Sequence, residues 1–228
     1  MTTMSSYVIQ QRGSLSVPKA VVETFVRALS ARDESTHEHA LRVQRFALAL
    51  ADEAGIEDER LIDAIKAAAL LHDIGKLAIP DRLLNKPGPL TADEFDQVKE
   101  HVTIGADMLA AVPVPTALTL IVRHHHENWD GSGYPDGLAG EGIPVGARVL
   151  AIVDCYDALT SDRPYRRALS HGSAIAMIHE RSGSMYEPAM VDAFLRIVHQ
   201  LRSGSDRKRT SRTHVGSREP WRLQARIV

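Results

Sequence analysis

"DERLIDAIKAAALLHDIGKLAIP", residues 58–80, is the stretch on which the fold class turns. Leu61, Ile65, Ala68 and Ala69 recur at helical spacing on one stripe, and His72 continues it. The predicted helix, 58–75, therefore turns an imidazole toward the core. It ends on a carboxylate, Asp73, just before Gly75. A carboxylate in a last turn is opposed by the negative end of the helix dipole. Burying it unpaired would cost several kcal/mol. A bound cation reverses both penalties.

Working outward, the rest of the chain reads as further helices. Residues 18–33 carry Val22, Phe25, Val26 and Leu29 at helical spacing, with Pro18 in the first turn. Residues 36–55 follow, with Thr36 as cap and Gly55 as stop. After a proline-broken loop at 80–90, a helix over 91–112 opens on a capping-box pattern, Thr91 with Glu94. Helices are predicted over 115–127 and 144–161, the latter so apolar that it belongs at the centre, and then over 170–182 and 187–201. Between them, "NWDGSGYPDGLAGEG" (128–142) is too glycine-rich and too long for a bland connector. No alternating strand pattern competes. The predicted fold is an all-α helical bundle.

On this bundle, polar residues recur on inward faces. His39 shares a face with Val43, Phe46 and Leu50, and His101 lies among apolar neighbours. His125 continues the stripe of Leu118, Ile121 and Val122, with His126 beside it, and Asp154 interrupts an apolar run. Each alone reads as a hydrogen-bonded core residue. Together, five histidines and two aspartates form a ligand set for cations of the Mn²⁺ and Fe²⁺ type. Seven donors exceed one tetrahedral site and point to a two-metal centre. His37, His124, His171, His179, His199 and His214 occupy polar or terminal settings or, for His124, point away from the stripe, and are read as non-ligands.

Composition sets the frame. The chain has 228 residues, 44% hydrophobic and 25% charged, ordinary values for one globular domain with short extensions. Aromatics are only 5%, so aliphatic side chains fill the core. A single cysteine, Cys155, excludes an internal disulfide framework and fits a reducing compartment. There is no long apolar run and no signal-peptide pattern, so a cytoplasmic protein with no membrane span is expected. Net charge is −2, but residues 202–228 hold eight Lys/Arg against two Asp/Glu. The expected organisation is an irregular segment over 1–17, a domain over 18–201 and a basic, disordered tail over 202–228. No nucleic-acid partner is expected.

In this order, "HALRV" (39–43), "LLHDIGKLAIPDRLLNKPGPLTADEF" (70–95), "HVTIG" (101–105), "HHENWDGSGYPDGLAGEGIPVGAR" (125–148) and "AIVDCYDALTSDRPYRRAL" (151–169) resemble the HD-GYP domain, a branch of the HD phosphohydrolases. The resemblance spans roughly residues 20–200 and includes "GSMYEPAMVDAF" (183–194), similar to the family's closing helix pair. It implies an HD-domain helical bundle with a GYP loop and two C-terminal helices. It also implies cyclic di-GMP phosphodiesterase activity, giving pGpG or GMP.

By motif, the implied metal ligands are His39, His72, Asp73, His101, His125, His126 and Asp154, with Asp73 as the bridging carboxylate. Lys76 matches a phosphate-contacting lysine, Tyr134 is the tyrosine of the GYP signature, and Arg163 and Arg166 match substrate-holding positions. Asp157, Glu127 and Asp130 are expected to support the site from behind. Some members hold a third metal with a glutamate four residues before the first ligand histidine. Here that residue is Ser35, so two divalent ions are expected, Fe or Mn first, with Mg, Ni or Co as alternatives. Rival readings are hydrolysis of another cyclic dinucleotide, or a catalytically silent module that binds GGDEF-type diguanylate cyclases. A separate sensor or receiver protein and a homodimer are further partner expectations.

Overall fold

The computed structural model describes residues 16–32, 34–162 and 167–201, with the backbone alone at 34–36, 200 and 201. Among these residues the chain forms ten α-helices: α1 (Lys19–Arg32), α2 (Glu34–Glu53), α3 (Glu59–Leu71), α4 (Asp81–Leu84), α5 (Ala92–Lys99), α6 (His101–Ala110), α7 (Thr116–His124), α8 (Val145–Thr160), α9 (His171–Glu180) and α10 (Pro188–Leu201). The all-α prediction holds. The nearest thing to strand pairing is a lone bridge between Ser182 and Tyr186.

α8 is the central helix, as its apolar sequence predicts. Val149, Leu150, Ile152, Val153 and Leu159 are wholly buried, and α2, α3, α7, α9 and α10 pack around it. Gly146 makes the closest approach: a Cβ there would meet Ile121 at 2.5 Å and Ile65 at 2.9 Å. The absent side chain lets α7 and α3 seat against α8.

Several predicted helix boundaries move, and the shifts matter for the site. α2 begins at Glu34, so Thr36 lies within the helix and not at its cap. Its end is as predicted. Gly55 has φ +73°, and the Gly55 and Ile56 N–H groups donate to Asp52 and Ala51, the paired closing bonds of a left-handed glycine stop.

α3 is capped by Asp58, whose carboxylate accepts from Arg60 and Leu61 N–H. It stops at Leu71, short of the predicted Gly75, and the chain tightens into a 3₁₀ turn over Ile74–Ala78. The cause is packing: a Cβ on Gly75 would lie 1.9 Å from the His101 carbonyl oxygen, so this turn runs directly against the α6 backbone.

The capping box at Thr91 and Glu94 is present, but the single helix predicted over 91–112 breaks at Glu100 into α5 and α6. The predicted loop over 80–90 contains the short α4, and the helix predicted over 115–127 ends at His124. The segments 1–15 and 202–228, with the tail, lie outside the described residues.

Candidate metal centre

The polar side chains come together where helices end. His72 follows the last residue of α3, His125 follows the last residue of α7, and His101 opens α6 at the break from α5. A terminating helix leaves carbonyls without N–H partners. Each of these three imidazoles donates to a carbonyl of the turn before it: His72 Nδ1 to Ala69 O (3.1 Å), His101 Nδ1 to Val98 O (2.7 Å) and His125 Nδ1 to Val122 O (2.7 Å). The carbonyl fixes the tautomer, so Nε2 is left as a lone-pair donor aimed inward. For His101 and His125 that Nε2 is buried with no hydrogen-bond partner.

Two groups result. In one, ligand atoms of His39, His72 and Asp154 lie within 4.8 Å of one another; in the other, those of His101, His125 and His126 do so. Asp154 Oδ1 stands 3.2 Å from His39 Nε2 and 3.8 Å from His72 Nε2. Asp73 lies between the groups, with Oδ2 3.6 Å from His72 Nε2 and Oδ1 3.7 Å from His101 Nε2. All seven predicted residues therefore meet at one centre.

The electrostatics fit a cation. Burial lowers the His101 imidazole to about 4 and that of His125 to about 3, and holds His126 well below its usual range, so all three rings are neutral near pH 7. Burial opposes the charge on Asp73, but the Lys76 ammonium and the nearby imidazoles outweigh it and keep the carboxylate ionised. Asp154 is likewise held low against burial by His39 and His72. Burial also acts to lower His39, yet its hydrogen bonds to the Asp154 and Asp157 carboxylates raise it to about 9. Neutral imidazoles with orphaned Nε2 atoms and paired carboxylates are the donor chemistry of a divalent transition metal.

Around this centre the supporting contacts are specific. His39 Nδ1 meets Asp157 Oδ2 at 2.7 Å, and the same carboxylate receives Arg42 Nε at 2.6 Å and Nη2 at 3.0 Å. Arg42 was not legible as a site residue, although it stands three residues after His39 as Asp157 stands three after Asp154. Lys76 Nζ donates to Asp73 Oδ2 at 2.9 Å, so its partner here is the carboxylate. Arg32, at the end of α1, holds the Lys76 turn by donating to the carbonyls of Lys76 and Ile79.

The glycine-rich loop leaves this centre directly. Tyr134 packs its ring on His126, centroids 5.0 Å apart, and its hydroxyl is buried with no hydrogen-bond partner. Glu127 organises the loop by accepting from Asp136 N (2.8 Å) and Leu138 N (3.1 Å), and Asp130 accepts from Ser132 N. His124, expected to point away from the His125 stripe, is buried, with Nδ1 on Leu120 O and Nε2 2.9 Å from Asp136. It forms a third histidine–carboxylate group with Glu127 and Asp136. That group is already filled by the loop's N–H donors and by Arg123, which grips Asp136 through two 2.8 Å bonds, so it is a loop clamp. Arg163 and Arg166 lie outside the described residues.

A helical bundle whose helix ends converge on paired histidine–aspartate groups defines the HD class of proteins. The chain belongs to the HD domain family, whose model matches residues 23–190, and to its HD-GYP branch. It is 41% identical over 185 residues to the cyclic di-GMP phosphodiesterase response regulator RpfG of Xanthomonas campestris, covering 80% of this chain and 49% of that protein. It is 36% identical over 179 residues to the 3'3'-cGAMP-specific phosphodiesterase 2 of Vibrio cholerae, covering 78% of this chain and 34% of that protein. The chain thus spans about half the length, or less, of these relatives. The solved structure of Bd1817, a HDG"Y"P protein from Bdellovibrio bacteriovorus, superposes with TM-score 0.60 at 20% identity, covering 73% of this chain and 53% of that one. Among the described residues no helix is long and apolar enough to cross a membrane.

Proposed function

We propose that this chain is a metal-dependent phosphodiesterase that hydrolyses cyclic di-GMP to pGpG and/or GMP. The observation that carries the reading is Asp73, whose two oxygens face two separate three-donor groups. His39, His72 and Asp154 would hold one divalent ion, and His101, His125 and His126 the other, with Asp73 shared between them. Iron or manganese suits this imidazole-rich set, with Mg, Ni or Co as alternatives. Bound ions supply charge to phosphate oxygens and bring the pKa of an attacking water toward neutrality.

The chain's own groups do the rest. Lys76 adds a positive charge beside the site, held on Asp73 and suited to a phosphate oxygen. Tyr134 stays protonated, because burial and the charges of Asp73 and Asp154 raise its pKa. Its unpartnered hydroxyl is therefore a donor for a substrate oxygen. Arg163 and Arg166 complete the substrate contacts by resemblance. Ser35 supplies no carboxylate, so the reading is two ions and not three. A cytoplasmic location, GGDEF-domain or receiver partners and a homodimer belong to the same reading.

A second reading, hydrolysis of a mixed guanine–adenine cyclic dinucleotide, is favoured by the 36% identity to the cGAMP-specific relative. One experiment tests both. Manganese- or iron-loaded protein is incubated with cyclic di-GMP, 3'3'-cGAMP and cyclic di-AMP, and the products are chromatographed. The expected result is pGpG or GMP from cyclic di-GMP at the highest rate. Faster turnover of cGAMP transfers the assignment to the second reading, and no turnover of any substrate by metal-replete protein removes both.

A further inference from the structure

We propose that Lys99 selects guanine over adenine in the cleft beside the metal centre; this rests on the phosphodiesterase reading above. A cleft of about 250 Å³ opens at His125, His126 and Asp154 and runs past Tyr134 to Phe95 and Lys99. Its wall is aromatic. The Tyr134 ring lies on His126, and Phe95 stands edge-on to Tyr134 with centroids 6.3 Å apart and planes at 83°.

Lys99, the last residue of α5, reaches over this wall. Its Nζ is 5.1 Å from the Phe95 centroid and 5.7 Å from that of Tyr134. Asp96 Oδ1 pins the same nitrogen at 2.5 Å. An ammonium has three protons, so one contact with Asp96 leaves donors for a ligand. The result is a stacking surface with a cation fixed at its rim, in the cleft that His125, His126 and Asp154 also line.

Stacking alone does not choose a base, because every base has a π-face. The cation does. Guanine offers two acceptors, O6 and N7, on one edge; adenine replaces O6 with an amino donor, which an ammonium cannot meet. Glu127, a carboxylate of the cleft lining, already accepts from Asp136 and Leu138 N–H. Arg181, also in the lining, is engaged with the Tyr186 hydroxyl.

The test uses the metal-loaded full chain and reads binding of GMP and AMP by calorimetry, for wild type, Lys99→Met and Lys99→Arg. Wild type is expected to prefer GMP by about ten-fold, the scale of one cationic contact to a guanine edge. Lys99→Met should lose that preference through GMP alone, leaving AMP affinity unchanged, and Lys99→Arg should retain it. Equal loss for both nucleotides would mean a phosphate contact and overturns the proposal, as does an unchanged ratio. Hydrolysis of cyclic di-GMP by the wild-type protein is followed in parallel. If it is present while the ratio stays unmoved, only the Lys99 assignment fails; if it is absent, the phosphodiesterase reading fails.

Discussion

The Asp73 carboxylate presents one oxygen to His72 and the other to His101, at 3.6 and 3.7 Å from their Nε2 atoms. Among the described carboxylates at the centre, it is the one with an oxygen near a histidine of each group. On the two-ion reading, replacing it by alanine removes the anion that would let two cations share so small a volume. Asp73→Ala should abolish hydrolysis and lower bound metal by at least half, measured by elemental analysis of purified protein. A variant that keeps its full metal content and its full rate would overturn the shared-carboxylate reading.

Lys76 tests a different role. Its ammonium bonds Asp73 at 2.9 Å, so its charge sits beside the centre without supplying a ligand. Lys76→Ala should therefore keep the metal while losing turnover, by about 10²–10³-fold, the usual effect of removing one stabiliser of transition-state charge. Metal content and kcat read together decide the matter. Normal turnover with depleted metal would assign the lysine to holding the centre together.

Asp157 acts through His39. Its carboxylate receives His39 Nδ1 and Arg42 at once and is almost wholly buried. Such a partner fixes the orientation of a ligand imidazole, and its loss typically costs about 10–100-fold in metal affinity. Asp157→Ala should show that loss in a competition with a chelator, and should also leave Arg42 without its main partner. Arg42→Ala should cost less, because His39 keeps Asp157. An Asp157→Ala protein with wild-type metal affinity would show that His39 is oriented by other means.

How much of this was legible in the sequence depends on which physical signal each residue leaves. The inward faces were legible because apolar spacing carries them: His39 on the Val43, Phe46 and Leu50 stripe, and Asp154 in an apolar run. The helix ends were not. His72 and His125 fit the helical period by continuing it for one residue in helical backbone geometry, so periodicity alone runs the helices too far. His101 was placed inside one long helix because Glu100 has no breaker character. The break is made by tertiary contact, where the 3₁₀ turn at Gly75 presses on α6. The contacts of Arg42, Lys99 and His124 were not legible for another reason. Their partners, Asp157, the Phe95–Tyr134 wall and Asp136, are set by the tertiary path of the chain, which a single sequence does not print.

That contact at Gly75 supports the last prediction. A Cβ on residue 75 would lie 1.9 Å from the His101 carbonyl oxygen, 2.7 Å from Gly105 N and 2.8 Å from the His101 carbonyl carbon. All three are backbone atoms, so no side chain can swing aside, and either the turn bearing Lys76 or the start of α6 must move. Overpacking of this kind typically costs about 1–3 kcal/mol. In a domain of this size that corresponds to a fall in Tm of about 2–12 °C. The displacement would also separate Asp73 from His101, so Gly75→Ala should bind metal more weakly as well as melt earlier. Gly172, in α9 with nothing within 4 Å of a built Cβ, is the control: Gly172→Ala should melt no earlier than the wild type and keep its metal. If Gly75→Ala matches that control in both melting and metal content, the close packing of the turn on α6 is not what holds the two histidine groups in register.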